Sequence, residues 1–404
     1  MADEFDALVV GARIAGSAMA LHLAARGWRV LLLDAATFPS DTLSTHLLWS
    51  DALRAFDRLG VLPEVLATGA PPLGRVRLVF GDRRNEAPIP APAGYPPLLS
   101  VRRLVLDDIL VRRARRAPGV TVREGFAVDD LLRDGDRVVG VRGHARGGRR
   151  APETLRAGVV IGADGRHSTV ARLVGAAEYD VVPPLLATYY AYYRGVAPPA
   201  MPALEAYRDE RGGFAYLFPC DAGFWTLAVS FPQAEFAAAR RDLERQIAAQ
   251  VARKSDLPGR LAGATRATPL RGAGDLVNFF RAPGGPGWAL VGDAGYHRDP
   301  ITARGISDAL HEAELLAAAL NRARRGETAP AAALADYQAR RDALVRPLYD
   351  FTCDRPPAGV DPAAWSRYLG RVLADAPHLS AYLGFMAGAV PAEDFYSAAA
   401  VAEL

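Results

Sequence analysis

Three stretches carry residues whose types and spacing suit an anionic, hydroxyl-rich ligand. The first is Gly11-Ala-Arg13-Ile-Ala15-Gly16, set between the apolar runs Asp6–Val10 and Arg29–Leu33, with Asp34 closing the second run. Gly11 lets the chain turn sharply, because it has no Cβ to clash. The free N–H groups of a helix starting behind that turn, at its positive dipole end, face a pyrophosphate. Asp34, 23 residues after Gly11, can accept hydrogen bonds from ribose hydroxyls. Arg13 stands where the middle glycine of G-x-G-x-x-G lets backbone approach the phosphates. Either the loop is displaced, or the guanidinium lies along them. The second stretch is Asp164-Gly165, at the end of the run Val159–Ala163. The third is Gly292-Asp293 after Trp288–Val291, followed by Pro300, Thr302, Ala303, Arg304 and Gly305.

Proton-handling residues lie close to these stretches in sequence. His46 ends the polar loop Ser40-Asp-Thr-Leu-Ser44-Thr45-His46, and Tyr296 and His297 follow Asp293. An imidazole titrates near neutrality and suits general base work. The hydroxyls of the same loop suit equally well the capping of a helix expected over Leu47–Leu59.

The elements that must position these groups follow from periodicity and breakers. The opening reads as strand, Gly-rich turn, helix and strand, a dinucleotide-binding βαβ unit. A strand is expected at Arg75–Phe80, a Pro-rich loop at 87–97, and a helix capped by Ser100 and running to Arg116. Strands follow at 120–123, 127–133 and 137–143, with an exposed hairpin tip at 144–150. Further strands are expected at Ala187–Gly195, Phe214–Pro219 and Phe224–Phe231, then a helix at 233–252. Helices at Ile306–Arg325 and from Pro330 to about Phe351 precede a helical tail with no evident chemistry. Tyr190, Tyr192, Tyr216 and Phe218 each suit a core, and together suggest an apolar or aromatic substrate wall.

Bulk composition excludes other classes. Of 404 residues, 50% are hydrophobic and 23% charged, with a net charge of +3. Nothing in that balance calls for nucleic acid or an anionic membrane. The apolar N-terminal stretch is interrupted by Arg13 and His22, so neither a signal peptide nor a membrane span is expected. Two cysteines, Cys220 and Cys353, without a CxxC, fit free thiols in a reducing cytoplasm, and no metal site is expected. Lys254 is the single lysine, so no lysine in the first 253 residues can form a Schiff base or activate an oxidant.

In combination and in this order, the Gly11 turn with Asp34, Asp164-Gly165, and Gly292-Asp293 with Pro300 and Gly305 resemble the single-component flavoprotein monooxygenases of the para-hydroxybenzoate hydroxylase fold. Geranylgeranyl-reductase-like flavoproteins share that scaffold. The resemblance covers roughly residues 5–325. It implies an α/β fold: a Rossmann-like FAD-binding domain of glutathione-reductase type, an inserted α+β substrate domain, and C-terminal helices. The expected domains are a discontinuous FAD-binding domain of 1–74, 98–178 and 271–330, a substrate domain of 75–97 and 179–270 with an antiparallel sheet, and a helical region of 331–404.

The resemblance also implies residue roles. The first motif holds the ADP moiety of FAD, with Gly11, Arg13, Ala15, Gly16 and Asp34 in contact. Arg103 touches the diphosphate side. Asp164 and Gly165 support FAD and NAD(P)H, and Gly292 and Asp293 take the ribityl chain and pyrophosphate. The cofactor-facing loop contributes Ser44 and Thr45, and the Thr302–Gly305 turn aims a helix N-terminus at the flavin pyrimidine. The chain departs from the family pattern at Arg13, at Tyr296 in place of His, at Arg304 in place of Gln and at Ser307 in place of Asn.

The implied reaction is oxygenation, by hydroxylation or epoxidation, of a small aromatic or apolar metabolite by O2. It runs through a flavin C4a-hydroperoxide, with FAD reduced by NADPH or NADH. His46 is the leading catalytic base, then His297 and Tyr296. The alternative is a reductase or dehydrogenase acting on an isoprenoid C=C bond, motivated by the Phe214–Pro219 strand. Flavin halogenases use an early active-site lysine and a Trp-x-Trp-x-Ile-Pro segment, and this sequence has neither. A monomer or homodimer is expected.

Overall fold

Five parallel strands form the centre of one sheet in the computed structural model, which describes residues 5–147, 151–209 and 213–403. Their order is Trp288–Leu290, Glu153–Gly162, Phe5–Val10, Val30–Leu33 and Val120–Arg123. Ala7–Val9 and Val30–Leu33 are buried residue after residue, which is why both segments read as unbroken apolar runs. The helices Ile14–Ala24, Arg103–Arg115 and Gly305–Arg324 cover one face. A hairpin of Phe126–Asp134 and Arg137–Ala145 covers the other with Phe126, Leu131, Val138 and Val141. Each fully buried Leu or Val in these layers contributes roughly 1.5–3 kcal/mol by leaving water. Among the described residues no helix is long and apolar enough to cross a membrane.

The second large sheet is mostly antiparallel. Its order is Thr265–Arg266, Leu186–Arg194, Trp225–Pro232, Phe214–Pro219, Leu204–Arg208, Arg75–Phe80 and Arg83–Pro88, and only the Leu204–Arg208/Arg75–Phe80 pair is parallel. Side chains alternate across a sheet. One face packs Val79, Tyr207, Ala215 and Val229 against the helices after Gln233. The opposite face presents Val76, Leu204, Phe218 and Tyr216 to the C-terminal helices Pro362–Ala374 and Ala376–Ala387. Those helices are pinned to the sheet edge by Asn85 Nδ2 donating to Leu373 O (3.0 Å) and Ser380 Oγ donating to Pro88 O (3.0 Å).

The helix Pro330–Thr352 carries a fully buried cation. Arg341 donates to Gly295 O (3.1 Å), Arg281 O (3.2 Å) and Tyr179 Oη (2.6 Å), and so holds the turn after Gly292 in place.

Several expectations need correction. Leu47–Trp49 is a buried strand paired with Leu98–Ser100, and the helix begins only at Ser50. Ser100 caps nothing: its hydroxyl meets Cys220 Sγ at 2.9 Å, and the helix starts at Arg103 behind Arg102, which Asp221 grips through both its backbone and its guanidinium. The 233–252 helix is broken at 240–242, where Asp242 caps a new helix by accepting from Arg245 N. Arg83–Pro88 is an edge strand whose charges and terminal proline hid it. Two strand pairings cross the expected domain boundaries. Arg271–Ala273 pairs with Thr188–Tyr190 of the antiparallel sheet, while Glu178–Val182 pairs with Asn278–Arg281. Of the expected 144–150 tip, residues 148–150 lie outside the described residues.

Candidate active site

The Gly11 turn is as tight as its sequence demands. Gly11 has φ +100°, and a Cβ there would overlap the Ala163 carbonyl, 2.7 Å from its carbon. Gly16 packs against the same turn, where a Cβ would lie 2.8 Å from the Gly11 carbonyl carbon. The helix Ile14–Ala24 has no side-chain cap and no acid in its first turn, so its positive end is left to a ligand. Asp34 accepts from Ala12 N and Ala36 N (both 2.7 Å), which fixes its carboxylate beside the turn with lone pairs to spare.

Arg13 is engaged by the protein itself. Its Nη1 donates to Asp107 Oδ2 (2.7 Å) and Ser40 O (2.9 Å), and its Nη2 to Ser40 Oγ (3.1 Å) and Asp41 O (3.3 Å). Arg103 holds the other oxygen of the buried Asp107 at 2.9 Å. The guanidinium therefore ties the polar loop to the helix that carries Arg103. Arg13→Ala should free residues 40–46 and weaken FAD binding by roughly tenfold, the loss of one charge-assisted network. Fluorescence titration with FAD checks this.

Asp164 turns inward. Its carboxylate accepts from Ser168 Oγ, Thr169 N (2.7 Å) and Val170 N (3.3 Å), so it caps the helix Thr169–Val174, and burial pushes its carboxyl above the usual range. Gly165 beside it has φ +79° with open space around a Cβ position. Gly292 has φ +62°, and a Cβ there would lie 2.8 Å from Ala15 Cβ, so this turn and the Gly11 helix touch. Asp293 is exposed, its carboxylate available to a ligand.

Gly292 N donates to Glu312 Oε2 (3.0 Å) under this turn. Burial pushes the Glu312 carboxyl from 4.5 up to about 8, with the Arg341 charge opposing. Because the folded value lies above the unfolded one, the stability this group contributes is complete below about pH 4.5 and is lost as pH rises through 8. Glu312→Gln keeps an acceptor for Gly292 N. Its urea midpoint should rise relative to wild type between pH 5 and 8, on the order of 1 kcal/mol per pH unit; parallel pH curves would contradict this.

A cavity of about 930 Å³ lies between the antiparallel sheet, the segments around His46 and Thr302, and the C-terminal helices. Ser44, Thr45 and His46 line it from one side, Pro300–Ala303 from another, and Tyr190, Tyr216 and Phe218 from the antiparallel sheet. Its remaining wall comes from the C-terminal helices, through Leu369, Leu379, Leu383 and Met386, a contribution the sequence reading missed because aliphatic side chains carry no chemical signature. Tyr192 is not part of the wall: it stands behind His46, its hydroxyl 2.7 Å from Nε2. Tyr296 and His297 are not there either. Tyr296 packs with Phe280 and Tyr349 in a buried aromatic cluster, and His297 stacks on Phe279 with Nδ1 against Val277 O (2.6 Å). Neither lines the cavity: the short strand Tyr296–His297 pairs with Phe279–Phe280 in a separate three-stranded sheet.

His46 and Ala303 face the cavity from left-handed backbone, at φ 64° and 52°. Non-glycine residues persist there only where the surroundings over-determine them, commonly at functional sites. The His46 ring is fully buried between Tyr190 and Tyr192. Burial, then the positive charges of Arg103, Arg102 and Arg271, hold its pKa down to about 3, so it is neutral at physiological pH. A neutral imidazole can accept a hydrogen bond at one nitrogen and donate one at the other. Its Nδ1 and Thr302 Oγ1 are buried in the cavity wall with no partner among the described residues, as expected of atoms awaiting a heteroatom-rich ring. Arg304, beyond Thr302, is bound to Asp51 (2.6 Å), and Gly305 opens the helix Gly305–Arg324 with its end exposed.

Comparison with known proteins agrees with this geometry. A family model described as "FAD binding domain" matches residues 4–352. The chain is similar to the 6-methylpretetramide 4-monooxygenase of Streptomyces rimosus, 30% identical over 76% of this chain and 73% of that one. It is similar to the menaquinone reductase of Mycolicibacterium smegmatis, 29% identical over 77% and 75%. A solved flavin-dependent brominase shares the fold with a TM-score of 0.83 at 21% identity, covering 98% of this chain and 96% of that one. The protein is an FAD-dependent oxidoreductase and belongs to the FAD-binding family of para-hydroxybenzoate hydroxylase-like flavoprotein monooxygenases and halogenases.

Proposed function

We propose that this enzyme is an NADPH- or NADH-driven monooxygenase that oxygenates a small aromatic or apolar molecule with O2. The observation that carries this reading is the cavity itself: one wall is the pair of loops 44–46 and 300–303, and the other is an aromatic sheet. In this reading the Gly11–Gly16 turn and its helix end take the FAD pyrophosphate, Asp34 the ribose, Arg103 the diphosphate side and Asp293 the ribityl chain. Ser44, Thr45 and the Thr302–Gly305 turn border the flavin ring. The nucleotide unit comprises 1–74, 98–178 and 271–330, with the two strand exchanges described above.

Bound FAD supplies the transfer of electrons to O2 and of oxygen to the substrate. The chain does the rest. Apolar walls exclude water from the reacting centre. The neutral His46, fixed by Tyr192, offers Nδ1 as a hydrogen-bonding group that orients a polar substituent without taking a net proton.

The monooxygenase relative at 30% identity supports this reading. Reduction of an isoprenoid or quinone is the second reading, favoured by the largely apolar lining of the cavity and by the menaquinone reductase relative. Halogenation is a third reading, supported by a brominase relative of Pseudoalteromonas luteoviolacea 25% identical over 79% of this chain; the absence of an early lysine counts against it. The one lysine, Lys254, has a buried side chain and is fixed by Asp209 Oδ2 and Gly213 O (both 2.7 Å). Anaerobic stopped-flow reduction of the FAD-loaded protein by NADPH and NADH tests the proposal. A polycyclic phenol should accelerate flavin bleaching; acceleration by none of a phenol panel, with reoxidation by a quinone in the absence of O2, would favour the reductase.

A further inference from the structure

The floor of the cavity changes character in discrete steps. The strand register places side chains in cross-strand rows that share one face. The innermost row is Val76, Leu204, Phe218 and Thr226, and it packs with Ala303. The middle row is Asn85, Leu78, Ala206, Tyr216 and Ala228, which is apolar apart from the Asn85 amide and the Tyr216 hydroxyl. The outermost row is Arg83, Phe80, Arg208, Phe214 and Ser230, so cations alternate with aromatic rings. All three rows line the same cavity.

Arg208 and Arg83 are exposed, and among the described residues neither has a carboxylate partner. Arg208 lies over the Phe214 ring, 5.0 Å from its centroid, which leaves its N–H edge free. The nearby Asp209 does not neutralise this row, because Lys254 and Arg253 already hold its carboxylate. Two residues of strand span about 6.7 Å, so the outer row stands about 13 Å from the inner one.

We propose that the substrate is an elongated amphipathic molecule: an apolar, aromatic body lying over the two inner rows, with an anionic terminal group, carboxylate or phosphate, held by Arg83 and Arg208. This deepens the functional reading above and rests on it for the identity of the inner end as the reacting end. The anionic end is distant from that centre, so it sets orientation and specificity. A guanidinium pair favours a planar or tetrahedral oxyanion over a hydroxyl of the same reach.

The test is equilibrium binding to the FAD-loaded protein, which needs no turnover. The probes are pyrenebutyrate, pyrenebutyl phosphate and pyrenebutanol, read by pyrene fluorescence at low and moderate salt. Wild type should bind at least one anionic probe tenfold or more tighter than the alcohol. R83Q/R208Q should lose that preference while the alcohol's Kd stays within twofold. Tighter binding of the phosphate identifies a phosphate-bearing substrate, and tighter binding of the carboxylate an acid. Equal binding of all three probes by wild type, no binding of any, or an undiminished preference in the double variant would overturn the proposal. The flavin spectrum and its reduction by NAD(P)H are unaffected by these outcomes, so the monooxygenase reading stands or falls separately.

Discussion

Gly11→Ala should purify colourless. Two effects combine at this position. An alanine at φ +100° is strained by roughly 1–3 kcal/mol. Its methyl group would also overlap the Ala163 carbonyl, which belongs to the neighbouring strand end and cannot retreat without moving Asp164 and the helix it caps. The turn must therefore open, and the helix end it presents to the pyrophosphate moves with it. A loss of about 3–4 kcal/mol corresponds to a few hundredfold in FAD affinity. Gly27→Ala is the control. Gly27 has φ +77° but nothing within 4 Å of a Cβ position, so the variant should lose about 1 kcal/mol of stability and keep its yellow colour. Absorbance at the flavin band relative to protein, with an FAD titration of each variant, checks both. Equal FAD content in the two would show that the Gly11 turn does not hold the cofactor.

His46→Ala should have the largest effect on turnover among residues that leave FAD bound. It removes one of three buried polar side-chain atoms of cavity-lining residues that have no partner among the described residues (Trp49 Nε1 and Thr302 Oγ1 are the others), and it removes the partner of the buried Tyr192 hydroxyl. Loss of an oriented hydrogen bond at a reacting centre costs on the order of a hundredfold in kcat/KM. Tyr192→Phe removes only the support and should cost about tenfold. The pH profile separates orientation from base catalysis. With the imidazole held to about 3, kcat/KM should show no rise through pH 6–7 that His46→Gln abolishes. An ascending limb near pH 6.5, present in wild type and absent in His46→Gln, would mean that substrate binding restores a normal imidazole and that His46 acts as the base.

The nucleotide end of the molecule was legible because its constraints are local. Gly11, Asp34 and Gly292 announce themselves by residue type within a few positions of a buried strand, and the strands flanking them are apolar on both faces. The Phe214–Pro219 strand likewise begins and ends where alternation and turn residues placed it. What escaped depends on partners far away in sequence. The sequence gives no sign that Arg13 pairs with Asp107, 94 residues on. Tyr192 and Tyr190 alternate on one strand and read alike. Only the fold shows that one borders the cavity while the other supports His46 from behind. Tyr296 and His297 followed the Gly-Asp motif closely enough to suggest chemistry, yet a two-residue strand pairing turns them into a different core. The cavity wall from Leu369 to Met386 comes from aliphatic side chains of two helices, which sequence alone assigns to packing.

The most direct test of the central claim is isotopic. The FAD-loaded enzyme would be run with NADPH or NADH under 18O2, with the anionic polycyclic phenols that bind tightest, and products analysed by mass spectrometry. The account predicts one 18O atom in the product for each coupled NAD(P)H oxidised, with no requirement for halide. A product that gains two hydrogens without oxygen, or one that forms only with added bromide or chloride, would contradict it.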